Sequence, residues 1–191
     1  MDAPERTPDR EREGPKRSPV HDRAKEMLPS VLLTLVSVIQ ALVLEALREG
    51  ASTSQEIFAG GLVSILTALQ IFAVFLTIVL VWVYYAQLVM RFRWVPSLQD
   101  TAALFGLGLG QSALTMLLRP ERLALWCVVL AIIFGIAFAS SWVTFLAAER
   151  EPENAWFFEL LERRPIRRLA PPLLTLAGFL GSAGVAALSG G

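Results

Sequence analysis

The chain has 191 residues, of which 54% are hydrophobic and 18% charged, with 17 basic and 17 acidic side chains balancing to zero net charge. A soluble chain of this length spreads its charge along amphipathic elements to keep one face in water, whereas here most of the charge lies outside five long apolar runs. One cysteine, Cys127, and one histidine, His21, exclude an intrachain disulfide and leave no ligand set for a haem, iron–sulfur or transition-metal site within one chain, so no cofactor and no metal are expected.

Residues 1–27 carry seven Lys or Arg, seven Asp or Glu and prolines at 4, 8, 15 and 19. With almost nothing apolar to bury, the segment cannot offset its ordering entropy and reads as a disordered, solvated tail. The first apolar run, Leu28 to Leu47, is longer than a cleavable signal sequence and reads as a retained anchor. Ser30, Thr34, Ser37 and Glu45 make a short polar stripe along it.

The second run, Leu62 to Met90, corresponds to roughly 43 Å of helix and must tilt or project. Gln70, Thr77, Tyr84 and Arg91 recur along it every seven residues, a drift of only ~20° per repeat, which places them on one side as a packing or pore stripe. Trp82, Tyr84, Tyr85, Phe92 and Trp94 with Arg91 and Arg93 have the composition of a headgroup boundary. Pro96 then breaks the chain, and Ser97 with Asp100 three residues on forms the signature of a capping box opening the third run, Gln99 to Leu118.

The fourth run is Leu123 to Ala148, with Cys127 as a small packing residue inside it. Glu153 to Arg164 reads as a short amphipathic helix with Trp156, Phe157, Leu160 and Leu161 on one side, followed by Arg163, Arg164, Arg167 and Arg168. Arginines beside a bilayer attract anionic headgroups at ~1 kcal/mol each. The fifth run, Leu169 to Leu188, carries Pro171, Pro172, Gly178, Gly181 and Gly184, which suit a helix packed among others. A four-span chain with a re-entrant or surface-lying C-terminal segment is the alternative.

Each run reaches the ~20 residues needed to cross a bilayer, so the expected fold is all-α: a polytopic bundle of five spans. Its parts are a tail at 1–27, a four-helix core at 28–148, a basic connector at 149–168 and the fifth span at 169–191. Fourteen Lys and Arg fall on the side of the tail and only Arg48, Arg119 and Arg122 on the other, which puts the N-terminus in the cytoplasm. The expected location is the inner (plasma) membrane.

Three glutamines lie within the runs: Gln40, Gln70 and Gln111, each seven or eight residues from the outer end. Amides at one depth on three helices can form a hydrogen-bonded layer, serving as interhelical glue or as a polar constriction. Small residues mark close helix approach: Gly106 and Gly110, then Ala131, Gly135 and Ala139, then Gly178, Ser182 and Ala186.

No nucleophile with a base, no His-Glu-x-x-His and no pair of intramembrane aspartates is present, so an enzyme is not expected. The expected function is a subunit or anchor of a membrane assembly, and the alternative is a homo-oligomeric channel or small transporter lined by the second span. The expected partners are the bilayer, anionic lipids, and further copies or subunits, with no nucleic acid.

Overall fold

The computed structural model describes residues 19–92 and 94–162, together with Ala177, Gly178, Gly181 and Gly184. Among them every regular element is helical: α1 Pro19–Thr53, α2 Gly61–Arg91, α3 Leu98–Met116, α4 Leu123–Glu149 and α5 Ala155–Glu162, with single 3-10 turns at Gln55–Phe58, Pro120–Arg122 and Pro152–Asn154. Three stretches are long and apolar enough to cross a membrane, Glu26–Thr53, Gly61–Arg91 and Pro120–Glu149. α3 is not one of them.

α1 starts earlier than the tail reading expects, since residues 19–27 are helical. Proline at the first helical position loses no hydrogen bond, and Arg, Ala, Lys, Glu and Met after it are good helix formers. The rest of the expected tail, 1–18, lies outside the described residues. α2 is capped by Gly60 and begins at Gly61, and their φ angles of 77° and 63° lie in a region that side-chain-bearing residues rarely adopt. At α3 the capping box forms: Asp100 N–H donates to Ser97 Oγ, and Ser97 N–H donates to Asp100 Oδ2 at 2.7 Å.

Side-chain pairs fix the topology. Ile39 and Gly50 of α1 meet Gly108 and Thr115 of α3, so these two helices run parallel. Asp100, Gly106 and Gly110 of α3 meet Thr144, Ile136 and Ile133 of α4, an antiparallel pair. α2 returns antiparallel to α1 and also touches α3 and α4, through Thr77 to Gln111 and Tyr85 to Ser140. Two ends result: a turn end, with residues 54–60 and 117–122, and a connector end, with residues 92–97 and 150–154.

Packing against α1, α2 and α4 explains the composition of α3. A helix surrounded mostly by protein does not need lipid-soluble side chains all round. It keeps Asp100 and Gln111 buried, and glycines where neighbours press closest. A Cβ at Gly110 would fall 2.7 Å from Ile133 Cγ1, and one at Gly108 would collide with Ile39 Cγ2. Beyond Leu98 and Gln99 in its first turn, its exposed positions are Ala102, Phe105, Leu109 and Met116, all apolar.

α5 docks onto the bundle. Phe158 is buried and Phe157 half-buried, and their rings meet Phe92 and Phe145, with Phe92 to Phe157 edge-on at 4.8 Å between centroids. The apolar side expected from the sequence omitted Phe158, while Trp156 points outward. Asn154 Nδ2 donates to the Ala148 carbonyl and closes the end of α4. Tyr85, Phe92 and Trp94, expected among headgroups, are buried in the core. Arg163, Arg164, Arg167 and Arg168 lie outside the described residues. So does the expected fifth span, apart from four helical positions, of which Gly178 sits beneath the Phe134 ring.

Candidate functional site

Apart from Ser54, Thr67 and Thr115 toward the turn end, the polar groups buried in the bundle fall into two sets, one halfway along it and one near the connector end. The first is built on the glutamines. Gln40, Gln70 and Gln111 are all buried, at 4%, 3% and 0% exposure. They do not bond to one another. Gln111 Nε2 donates to Thr77 Oγ1 at 3.2 Å, while both polar atoms of Gln40 and of Gln70, and Gln111 Oε1, have no partner among the described residues.

Gln111 therefore sits at the level of Thr77, and Gln70 lies one heptad, about 10 Å of helix, nearer the turn end. Gln40 borders an apolar crevice of about 220 Å3 beside Phe75, Ile78 and Val79, which places it near the Thr77 level too. Gln40 and Gln111 thus lie around the level of Thr77, and Gln70 lies apart from them. The sequence located each amide from the ends of its own run, and helix tilt and offset are invisible to that count.

The stripe on α2 turns inward. Gln70 is buried, Thr77 is half-buried against Gln111, and Tyr84 is half-buried with its hydroxyl at Ser141, leaving only Arg91 exposed. The stripe on α1 instead points outward. Its hydroxyls satisfy themselves on their own helix, Ser30 to the Met27 carbonyl, Thr34 to Ser30 and Ser37 to Leu33, at 2.7–3.0 Å. A hydroxyl bonded to the preceding turn can face hydrocarbon cheaply. The α1 stripe touches α2 where Trp82 Nε1, which lies outside the α2 stripe, donates to Ser37 Oγ.

The second set surrounds Asp100. Its Oδ2 accepts from Ser97 N–H and Oγ, and its Oδ1 accepts from Thr144 Oγ1 at 2.7 Å. No cation pairs with it among the described residues. Its carboxylate is held by the start of α3, where the aligned peptide dipoles favour an anion, and by one hydroxyl from α4. Tyr85 and Ser140, 3.4 Å apart, extend this polar seam between α2 and α4. The sequence identified the Ser97 half of the arrangement. Thr144, 44 positions on, carried no local signal.

Chemically these sets supply hydrogen bonds between helices, Gln111 to Thr77 and Thr144 to Asp100, to which Gln40 and Gln70 add none among the described residues. No three of His, Cys, Asp and Glu converge among the described residues, and Cys127 is buried against its neighbours. No family model matches the chain, and no curated protein or solved structure matches it either.

Proposed function

We propose that this protein is a non-enzymatic integral membrane component that works by association, as a subunit or anchor of a membrane assembly. In this reading it spans the inner membrane five times, α3 and the 169–191 segment included, with its N-terminus in the cytoplasm. Its tail and basic connector then face soluble partners and anionic headgroups.

The observation that supports association over conduction is the direction of the α2 stripe. Gln70, Thr77 and Tyr84 are buried or half-buried within the chain, and the side chains α2 turns outward include Leu62, Ile65, Leu69, Phe72, Leu76 and Leu80, with the polar Gln87 and Arg91 exposed only in its last turns. A second copy or subunit beside α2 would meet hydrocarbon, which packs helices together but lines no aqueous lumen.

The test is reconstitution into proteoliposomes with ion-sensitive dyes inside. The expected result is no flux above protein-free vesicles, unchanged in Gln70→Leu and Thr77→Leu, together with a defined multimer or hetero-complex by native mass spectrometry. Flux that either substitution alters would overturn the proposal in favour of the channel.

A further inference from the structure

At the turn end, the last turns of α1 and α3 and the 3-10 turn between α1 and α2 border a half-open cavity of about 360 Å3. Sites for small ligands begin at about 300 Å3. Gly50 and Thr115 bring the two helices together at its wall. A Cβ at Gly50 would meet the Thr115 carbonyl at 3.0 Å and Leu118 Cδ1 at 3.2 Å.

Three charges ring the cavity, Glu49, Glu56 and Arg119. Glu56 accepts from Ser54 Oγ at 3.0 Å, and its carboxyl is held below the usual range by its own backbone N–H, by Ser54 and by Arg119. Arg119 Nε stands 3.9 Å from Glu56 Oε1, at the far limit of an ion pair. A guanidinium has five N–H donors, so most of Arg119 remains for another anion. Glu49 is exposed and forms no ion pair among the described residues. Two carboxylates and one under-used guanidinium around one cavity match a ligand that carries an ammonium and an anion a few atoms apart.

The position of the cavity narrows the source. Glu45 and Arg48, on the preceding turns of α1, form a two-pronged ion pair at 2.8 and 2.6 Å with both side chains well exposed. Such a pair belongs in water or headgroups, so the cavity beyond it lies at headgroup depth. Phe58 on the adjoining turn is 85% exposed, and Met116, also outward-facing, supplies an apolar edge to the cavity. Both suit a bilayer boundary.

We propose that this cavity binds the phosphoethanolamine headgroup of a membrane lipid, with the phosphate on Arg119 and the primary ammonium on Glu49 and Glu56. A primary ammonium donates three hydrogen bonds and a trimethylammonium none. The site therefore selects ethanolamine over choline headgroups.

The test uses the full chain in nanodiscs of equal phosphatidylethanolamine and phosphatidylcholine, with lipid retained on detergent extraction read by native mass spectrometry. Enrichment of the ethanolamine lipid by about fivefold is expected, as for one exposed charge-assisted contact. It should fall toward parity in E49Q and persist in E45Q, whereas R119Q, which removes a contact to the phosphate common to both lipids, should lower the total lipid retained; Glu49 and Arg119 are exposed positions with little bearing on folding. Displacement of the lipid by millimolar O-phosphoethanolamine would support recognition through the headgroup. Parity in the native protein, enrichment that survives E49Q undiminished, lipid retention unchanged in R119Q, or binding of free O-phosphoethanolamine without enrichment of the lipid would each overturn the assignment.

Discussion

Replacing Gly108 by alanine puts one methyl group where α1 and α3 touch. The added Cβ meets Ile39 Cγ2, a branch at the β carbon of a buried residue whose χ1 has one strongly preferred well in a helix. Ile39 cannot swing clear, so the helices must separate. Overpacking of this kind costs about 1–3 kcal/mol, against a gain of about 0.5–1 kcal/mol from alanine's better helix propensity.

Gly135 supplies the reference, because a Cβ built there meets nothing within 4 Å among the described residues. Gly135→Ala keeps the propensity gain and lacks the clash, so the difference between the two variants, about 1–3 kcal/mol, isolates the contact. SDS-induced unfolding in detergent micelles, followed by circular dichroism and tryptophan fluorescence, should order the midpoints Gly135→Ala at or above native and Gly108→Ala below it. Ile39→Ala in the Gly108→Ala background should cost less than in the native background. Equal stability of the two alanine variants would refute the packing argument.

Two further outcomes follow from the polar contacts. Thr144→Val keeps the shape of the side chain but leaves Asp100 Oδ1 without its donor, which should lower stability by about 1–3 kcal/mol in the same assay, while Thr144→Ser should stay close to native. No change in Thr144→Val would mean that the carboxylate is held entirely from α3. Glu56 titrates below the usual carboxylate range when folded, so whatever stability it confers is present above that range and is lost as pH falls through the depressed value. A 13C NMR titration should show this, with the midpoint rising in Ser54→Ala; an ordinary midpoint in the native chain would contradict it.

What the sequence shows well is whatever one segment decides alone. The runs at 62–90 and 123–148 match α2 and α4 to within a residue at each end, because apolar length and flanking charge are local. The capping box is equally local, as Ser97 and Asp100 are three residues apart. Contacts between segments leave weaker traces. Gly106 and Gly110 stand out as a pair, yet Gly108, on the other side of α3, takes the tighter approach from α1. Phe158 carries the docking of α5 only because Phe92 and Phe145 happen to lie beneath it. The buried amides were visible as residues, but their partners depend on the offset of α2 against α3, which no count along either helix contains.

The modest apolarity of α3 sets an order of assembly. A segment bearing Asp100, Gln111 and bare backbone at three glycines gains little by entering hydrocarbon unaccompanied. The five-span reading therefore needs α4 to arrive before α3 can settle, with Thr144 neutralising the cost of the carboxylate as the two go in together. The pair would enter the bilayer as one hairpin, and a ribosome stalled before residue 144 would leave α3 waiting at the threshold.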